Sequence, residues 1–355
     1  MTKIMLLALC ALLLLSCSSK KTSVSPEPLG PAFVPASPLD TTLSFVTFNM
    51  AVGFDAERML TQDLSKPRTV LTEGRTLDSQ FLASLPAERV RALADSINTS
   101  RPDVVGLQEV LYLINRQNSQ SVDFLALLLH ALDSLGAPVY GVVRQVMNPL
   151  PVKVTVDDAQ GRDSIDIYFQ EGNAILYKQA TLTLAAADST VYFVGIRNLP
   201  YLSGTFEILR GAVYARFRTA RNTFLNVFNT HLEVESLALV GFPQVSFLMD
   251  YIRAKQLSAE AVVLMGDMND PPDGGRIAAI LNGNFTDTYT GPARTCCYEI
   301  PDPAILPTRR IDYIFTRGIV AAPSSGVGLN GTFRPYSADF RLSDHAGVAA
   351  QVTFH

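Results

Sequence analysis

VVLMGDMND, residues 262–270, is the stretch of sequence that most restricts the fold. The apolar run from Ala261 to Met265 predicts a buried strand, and two polar residues, Asp267 and Asn269, follow directly after it. An Asp-x-Asn sequence can form an ordinary turn, because both side chains bond readily to nearby backbone N–H groups. It can also be one part of a catalytic site whose other residues lie elsewhere in the chain.

The composition predicts a globular chain with a sizeable core. The 355 residues are 48% hydrophobic and 17% charged, with a formal net charge of −4, which is enough material for one large domain or two smaller ones. Proteins that bind nucleic acid tightly usually carry a basic stripe. Since there is no global basic excess, nucleic acid remains an option as a substrate only. We also expect a monomer.

The first 16 residues are predicted to be a signal peptide. Lys3 precedes an apolar run over residues 4–15, which is shorter than the ~20 residues that a spanning helix requires. The sequence LLSC, residues 14–17, resembles a bacterial lipoprotein signal, in which the leader is removed and Cys17 becomes the lipidated N-terminus. The alternative is an ordinary secretory signal in which Cys17 is incidental.

Residues 17–42 are predicted to be the lipidated cysteine and a flexible linker, because they are rich in Ser and Pro and show no apolar period. Lipid on Cys17 would tether the protein to a membrane without spanning it. We therefore expect an exported protein, anchored in the bacterial cell envelope on the periplasmic or cell-surface side.

Strand-like and helical patterns alternate through the rest of the chain. Helices are predicted from Pro86, from a cap at Ser121 and from near Pro243, while residues 54–84 show no clean period and are predicted to be a long excursion. Many strands with helices inserted between them indicate a sandwich of two sheets. The predicted strands are 43–48, 103–107, 173–177, 191–196, 211–218, 222–228, 261–265, 311–315 and 346–354.

Polar side chains stand at the ends of most of these strands. Each one alone has an ordinary explanation as a turn or cap residue, except that a carboxylate at Asp312, amid Ile, Tyr, Ile and Phe, is costly unless it is paired. Polar groups gathered at one edge of a sheet obtain a fixed geometry from their rigid supports. The strand-end residues are Asn49, Glu109, Asn229, His231, Asp267, Asn269, Asp312, Asp344 and His345. His130, in contrast, is expected on the solvent side of its helix.

Taken together, these residues give a sequence that resembles the endonuclease/exonuclease/phosphatase superfamily. This superfamily comprises metal-dependent phosphoesterases related to DNase, abasic-site endonucleases, neutral sphingomyelinases and inositol-polyphosphate phosphatases. The resemblance covers residues 43–355 and implies an α/β fold, a four-layer sandwich of two packed mixed β-sheets flanked by helices. The motifs, in family order, are FVTFNM (45–50), PDVVGLQEV (102–110), GNAILYK (172–178), NVFNTHLEV (226–234), VVLMGDMND (262–270), RRIDYIF (309–315) and LSDHAGV (342–348).

The resemblance implies a metal site. Glu109 would be the principal ligand of a catalytic Mg²⁺, supported by Asn49 and with Asp344 near the same ion. Oxygen ligands suit Mg²⁺, which keeps some of its waters and shares phosphate oxygens of the substrate, and Mn²⁺ or Ca²⁺ are alternatives.

It also implies roles for the catalytic residues. Asp267 would orient or deprotonate the attacking water, and Asn269 would hold the phosphate or a metal-bound water. His345 would lie against the scissile phosphate, with Asp312 bonded to its other ring nitrogen. His231 would lie on the opposite side of the phosphate and help the leaving oxygen.

Two further residues are implied only as possible support. By alignment to the sequence EGNAILYK, Glu171 would orient His231, and Asn173 would contact the phosphate. The ordinary alternative for Glu171 is a solvated residue at the start of a strand.

The predicted function is therefore that of a Mg²⁺-dependent phosphoesterase, which hydrolyses a phosphodiester or phosphomonoester on a small or lipid-linked substrate. The first alternative is an extracellular nuclease of the DNase or RNase type, and the second is a catalytically inactive binding protein on the same fold. The adjacent pair Cys296-Cys297 has three open interpretations: a vicinal disulfide, a metal site or two reduced thiols. Zinc is disfavoured, because it requires three or four Cys or His ligands.

Overall fold

A computed structural model describes residues 42–353, except for 56–57, 59–60, 193–194, 235–237, 257–259, 303, 319–323, 330 and 335–338. The predicted signal peptide, Cys17 and nearly all of the predicted linker lie outside the described residues, as do the last two residues of the chain. Within the described residues, no helix has the length and apolar character needed to cross a membrane.

The described residues form strands and helices that alternate along the chain. The strands are β1 (Thr42–Asn49), β2 (Val104–Gln108), β3 (Tyr112–Asn115), β4 (Gln120–Asp123), β5 (Tyr140–Asp158), β6 (Gly161–Lys178), β7 (Leu182–Val191), β8 (Ile196–Tyr201), β9 (Gly204–Ile208), β10 (Gly211–Thr219), β11 (Phe224–His231), β12 (Ala261–Asp267), β13 (Thr286–Asp287), β14 (Asp312–Arg317), β15 (Ser324–Gly328), β16 (Thr332–Phe333), β17 (Phe340–Arg341) and β18 (Gly347–Thr353). The helices are α1 (Pro67–Ala83), α2 (Pro86–Ser100), α3 (Phe124–Ser134), α4 (Ala238–Lys255) and α5 (Gly275–Asn282).

Two large mixed sheets form the centre of the fold. The first has eight strands in the order β15-β18-β1-β2-β6-β3-β4, with β5 also paired to β6, and the second has six strands in the order β13-β14-β12-β11-β10-β7. Each sheet contains parallel and antiparallel pairs, since β1 runs parallel to β2 but antiparallel to β18, and β11 runs parallel to β12 but antiparallel to β10.

Three hydrophobic clusters show that these elements form four layers. One cluster joins the first sheet to α1, α2 and α3, the second lies between the two sheets, and the third joins the second sheet to α4 and α5. Successive side chains of β12 alternate between two of the clusters: Val263 and Met265 pack between the sheets, whereas Val262 and Leu264 pack under the helices. This burial on both faces explains why the sequence of β12 is a continuous apolar run. The three clusters confirm the predicted four-layer α/β sandwich.

Four local predictions were wrong. The predicted strand 191–196 is not a single strand, because Val191 ends β7 and Ile196 begins β8. Residues 67–83 form α1 instead of an excursion. The helix was not predicted because a buried glutamate and glycine, Glu73 and Gly74, interrupt its apolar stripe. Ser121 lies in β4, and α3 is capped by Asp123, whose Oδ1 accepts a hydrogen bond of 3.0 Å from Ala126 N. Helix α4 begins before Pro243, which lies inside it.

Candidate active site

The strand registers bring the predicted site residues to one edge of the sandwich. In the first sheet, Asn49 at the end of β1 is paired with Gln108, the residue before Glu109. In the second sheet, Asp267 at the end of β12 is paired with His231 on one side and with Asp312 on the other. Because β1 also contacts β12 across the interface between the sheets, the two groups of strand ends meet.

Asp267 lies at the centre of the site and is 1% exposed. Its Oδ2 atom accepts a hydrogen bond of 3.1 Å from Asn49 Nδ2, and it lies 3.5 Å from His231 Nε2 and 3.7 Å from His345 Nε2. Its Oδ1 atom accepts the backbone N–H of Asn269 at 2.9 Å. Burial, together with the negative charge of Asp312, raises the pKa of Asp267 to about 6.

The backbone next to Asp267 requires a glycine. Gly266 has a φ of +145°, and a Cβ atom at this position would lie 1.9 Å from Thr230 O in the neighbouring strand. Residues with side chains rarely adopt this conformation, so the glycine permits the close approach of β11 that places His231 beside Asp267.

His345 is held by a buried carboxylate, as predicted from the resemblance. Its Nδ1 atom lies 2.9 Å from Asp312 Oδ2 and 3.2 Å from Asp312 Oδ1, and both side chains are almost fully buried. Burial by itself lowers the pKa of His345, but the charges of Asp312 and Asp267 outweigh it and raise the pKa well above its ordinary value. His345 therefore carries a proton, and its Nε2–H points toward Asp267.

Glu109 lies in a strained turn beside these groups. It follows β2 with a φ of +54°, a conformation that non-glycine residues seldom adopt and that is often found at functional sites. Its Oε1 atom accepts from Asn49 Nδ2 at 2.9 Å, and its Oε2 atom accepts from Val52 N at 2.7 Å. Loss of solvent, together with the nearby charges of Asp344 and Glu171, raises the pKa of Glu109 to about 7.

Asn49 does not have the geometry of the predicted metal ligand. Its amide nitrogen, which cannot coordinate a cation, is directed at Glu109 and Asp267, and its Oδ1 accepts from Ala51 N at 3.0 Å. Asn49 therefore connects the two carboxylates by hydrogen bonds. It supports Glu109 as a hydrogen-bond donor and not as a second ligand of the ion.

Glu171 does not contact His231, although the resemblance implied that it would orient this residue. Its Oε1 atom is occupied by Arg210 Nη1 at 3.2 Å and by Asn148 Nδ2 at 2.8 Å. The group beside His231 Nδ1 is Arg210, at 3.2 Å. On the other side of the ring, Nε2 lies 3.0 Å from Asn269 Nδ2.

Asn173 does not face the open part of the site. It is 1% exposed, and its Nδ2 donates to Gly211 O at 3.2 Å, which ties β6 of the first sheet to β10 of the second. The side chain is thus used between the sheets, and the predicted contact with a phosphate has no support from this position. Asn229 has a similar structural use, since its Nδ2 donates to Leu107 O and Ala174 O, both at 2.9 Å.

Asp344 lies at the mouth of the site, with a side chain that is 45% exposed. Its Oδ1 lies 3.2 Å from Ser343 Oγ and 4.0 Å from His345 Nε2. Ser343 Oγ has a single proton, and its shorter contact is with Asn49 O at 2.7 Å, which joins this loop to the end of β1.

Sequence reasoning missed two arginines. Arg89 is fully buried and donates to Met50 O, Ala51 O and Leu342 O at 2.8–3.0 Å, so that it holds the segment after Asn49 against the segment before Asp344. Arg89 lies four residues before Leu93, on the apolar face of α2. A charged residue on that face was a usable sequence signal for a buried arginine.

Arg210 is the second arginine. It precedes β10, whose first residue, Gly211, is paired with His231. The start of an antiparallel strand meets the end of its neighbour, so Arg210 was also a strand-end residue.

The donor set fits a divalent cation. Glu109 and Asp344 supply carboxylate oxygens, which are the ligands that Mg²⁺ prefers, and their mutual repulsion contributes to the raised pKa of Glu109. A cation would compensate this negative charge. The ligand atoms of Asp267, Asp312 and His345 also lie within 4.8 Å of one another and could hold a metal ion. With His345 protonated, however, the imidazolium already offsets one of those two negative charges and has no free ring nitrogen to offer a metal ion.

The adjacent cysteines form a disulfide, with an S–S distance of 2.05 Å. Of the three interpretations left open by the sequence, the structure has the vicinal disulfide. The backbone of Cys296 is bridged to Arg309 and to His345, so the pair lies next to the site.

Comparison with known proteins gives one family. Residues 46–345 match the model of the Endonuclease/Exonuclease/phosphatase family, and no curated protein matches the sequence significantly. Three solved structures are similar: a family protein from Leptotrichia buccalis (17% identity, TM-score 0.53, 88% of this chain and 100% of that chain), a mannosyl-6-phosphatase from Bacteroides thetaiotaomicron (16%, 0.52, 88% and 100%), and TDP2 from Caenorhabditis elegans (17%, 0.51, 90% and 77%).

At these identities, the solved structures show the fold alone. The family match covers most of the chain and includes each of the strand ends that form the site. The chain therefore belongs to the endonuclease/exonuclease/phosphatase family and is a phosphoric ester hydrolase.

Proposed function

We propose that this protein is a Mg²⁺-dependent phosphoesterase, which hydrolyses a phosphodiester or phosphomonoester of a small or lipid-linked substrate by in-line attack of water. The observation that carries the proposal is the position of one buried carboxylate, Asp267, between His231 and His345, with Glu109 connected to it through Asn49. This arrangement places acid–base groups beside a site suited to a hard cation, and hydrolysis of a phosphate ester uses both.

Glu109 and Asp344 are the residues that would hold the ion, and Mn²⁺ or Ca²⁺ would suit the same oxygen donors. A bound divalent cation supplies positive charge, which stabilises the charge that develops on the phosphoryl oxygens. Burial is the main cause of the raised pKa of Glu109, and the charge of Asp344 raises it further. This second contribution supports the assignment, because a cation would remove the repulsion between the two carboxylates.

Asp267 is proposed to accept the proton of the attacking water. A base works best when its pKa lies near the working pH, and the pKa of Asp267 is raised to about 6 by burial and by Asp312. Asn49 and the backbone N–H of Asn269 fix its two oxygens by hydrogen bonds, so that the carboxylate is held in one orientation.

The two histidines are proposed to bind the phosphoryl group from opposite sides. His345, kept protonated by Asp312, donates from Nε2 to a phosphoryl oxygen and stabilises its growing negative charge. His231 and Asn269 bind the other side, where the leaving oxygen departs. Donors that are fixed in position before the reaction lose little energy to reorganisation.

A small or lipid-linked substrate is favoured over a long nucleic acid. The net charge is −4, and three arginines, two on α1 and one directly after β3, are paired with aspartates of the β5–β6 hairpin, which reduces the positive charge they offer to a phosphate backbone. These pairs are Arg68–Asp158, Arg75–Asp163 and Arg116–Asp166. We also infer that the protein is exported and anchored through Cys17, which rests on the sequence over residues 14–17.

The proposal is tested by release of p-nitrophenol from bis-(p-nitrophenyl) phosphate with Mg²⁺, Mn²⁺ or Ca²⁺. We expect His345→Ala to remove most of the rate, because the side chain that Asp312 holds for donation to the phosphoryl oxygen is lost. The variant should remain folded. His130→Ala is the matched control, since His130 is an exposed histidine on α3, and it should keep the wild-type rate.

Near wild-type turnover in His345→Ala would refute the mechanism. Absence of turnover with all three cations would favour a binding protein. Parallel assays on plasmid DNA, sphingomyelin and inositol phosphates separate the substrate classes, and preferential cleavage of DNA would favour the nuclease.

A further inference from the structure

The side chain of Arg210 lies between His231 and two carboxylates. Its Nη1 atom is 3.2 Å from His231 Nδ1 and 3.2 Å from Glu171 Oε1, while Nη2 is 3.3 Å from Glu233 Oε1. The side chain is 11% exposed, and the pairing of Gly211 with His231 fixes the arginine beside the ring. Arg210 is thus the described side chain that contacts Nδ1 of His231.

The chemistry of the guanidinium group decides which ring nitrogen carries the proton. Arginine has donors only and remains charged, so His231 Nδ1 must accept the hydrogen bond. An imidazole whose Nδ1 accepts is neutral and carries its single proton on Nε2. Burial lowers the pKa of His231 well below its ordinary value, and the positive charges of Arg210 and His345 lower it further, which agrees with a neutral ring.

A carboxylate at this place would have the opposite effect. If Glu171 contacted Nδ1 directly, Nδ1 would donate, and the negative charge would favour the protonated imidazolium. In the structure Arg210 separates the two, and the charge of Glu171 is used to hold the arginine. His345 has the carboxylate arrangement, since Asp312 contacts its Nδ1. The two histidines of the site are therefore set in opposite protonation states by their Nδ1 partners.

The proton on Nε2 of His231 points into the site. Nε2 lies 3.5 Å from Asp267 Oδ2 and 3.0 Å from the amide nitrogen of Asn269. The amide nitrogen of Asn269 also donates to Leu232 O at 2.9 Å, which keeps it oriented. With Nε2 protonated, the N–H groups of His231 and Asn269 face each other at 3.0 Å, a donor–donor contact that an anion accepting from both would relieve.

We propose that Arg210 is a positioning residue, which holds His231 as the neutral tautomer protonated on Nε2, so that His231 binds a phosphoryl oxygen as a hydrogen-bond donor and does not act as an imidazolium acid. The inference about phosphate rests on the proposed function. The inference about the tautomer does not, because it concerns the protein without substrate.

The tautomer is read by long-range ¹H–¹⁵N correlation spectra of the metal-free protein labelled with ¹⁵N-histidine. The chain has four histidines, and His130→Gln and His345→Gln assist their assignment. In the wild type, His231 should show a protonated Nε2 and an unprotonated Nδ1 throughout the neutral pH range. An Nδ1-protonated tautomer, or an imidazolium at neutral pH, would overturn the proposal without reference to activity.

Variants separate positioning from a purely structural role. Arg210→Met should convert His231 to a mixture of tautomers and raise its pKa, with a fall of about 10- to 100-fold in kcat that Arg210→Lys partly restores, since lysine also only donates. Glu171→Gln is the matched control, because it removes one carboxylate partner of Arg210 while Glu233 still pairs with the arginine. If Glu171→Gln changed the tautomer and Arg210→Met did not, Arg210 would not be the determinant.

The phosphate role is tested by adding inorganic phosphate to the metal-free wild type. We expect the Nε2 signal of His231 to shift and the same addition to leave His130 unchanged. If Arg210→Met does not fold, the wild-type and Glu171→Gln spectra still decide the tautomer. A His231 signal that does not respond to phosphate, with the predicted tautomer present, would refute its role as a phosphate donor.

Discussion

The buried pair of His345 and Asp312 provides the most direct test of the electrostatics of the site. Asp312→Asn keeps the shape of the side chain and removes its charge. At 2.9 Å from His345 Nδ1, the carboxylate attracts the imidazolium by about 6 kcal/mol at an effective dielectric constant of about 20. Part of this lost attraction is offset in the variant. Asp267 lies within 4.8 Å of Asp312, so removing the charge of Asp312 also removes a repulsion between the two carboxylates of at least about 3 kcal/mol.

The net loss is therefore about 2 to 3 kcal/mol in the free energy of unfolding of the metal-free protein. The loss should depend on pH in a defined direction. Burial lowers the pKa of His345, but Asp312 and Asp267 hold it well above its ordinary value. A raised pKa in the folded state contributes stability that is complete below the unfolded-state value of about 6.5 and is lost as the pH rises through the folded-state pKa.

The difference between the wild type and Asp312→Asn should therefore be fully present below pH ~6.5 and should shrink as the pH rises through the folded-state pKa of His345. It is measured by urea unfolding at several pH values, and the same variant should lose about 100- to 10,000-fold in kcat, the usual contribution of a positioned acid or base. Asp287→Asn is the matched control, since it breaks a largely buried pair with Arg310 in the same sheet but does not touch His345.

A pH-independent loss of stability in Asp312→Asn, or a loss that grows in alkaline solution, would refute the assignment of a protonated His345. Asp287→Asn should be destabilised without a change in the NMR titration of His345. If both variants changed that titration equally, the effect would arise from loosened packing and not from the charge of Asp312.

Three further predictions concern the backbone, the metal site and the anchor. Gly266→Ala should lower the free energy of unfolding by more than about 3 kcal/mol, because its Cβ would lie 1.9 Å from Thr230 O. Gly161→Ala, at φ +102° with nothing within 4 Å, should cost only about 1 to 2 kcal/mol, and equal losses in urea unfolding would contradict the steric argument. Glu109→Gln should remove most of the rise in melting temperature that Mg²⁺ gives the wild type, since a bound ion stabilises the folded state, and an undiminished rise would place the ion elsewhere. Cys17→Ala should leave the protein soluble, and its recovery in the membrane fraction would refute lipidation.

Much of the fold and of the site followed from local sequence patterns. The apolar run of β12 predicted a buried strand, and the polar residues after the strands predicted the edge where Asp267, His231 and Asp312 meet. Helix α1 was missed because Glu73 and Gly74 interrupt its apolar stripe. A buried glutamate becomes intelligible only with its partner, Arg58, which comes from a neighbouring segment of the chain.

The sequence by itself thus determined the two-sheet sandwich and the edge that carries the site, because hydrophobic periodicity and strand ends are local properties. The kind of chemistry was implied by the resemblance of its motifs to a known family. Only the tertiary structure decided which groups contact the ring nitrogens and carboxylates. Arg210 reaches His231 because β10 and β11 pair in one register, and Glu171, which the sequence had placed there, binds the arginine instead. A hydrogen bond forms over about 3 Å, so its partner is fixed by packing among distant segments, which no local pattern contains.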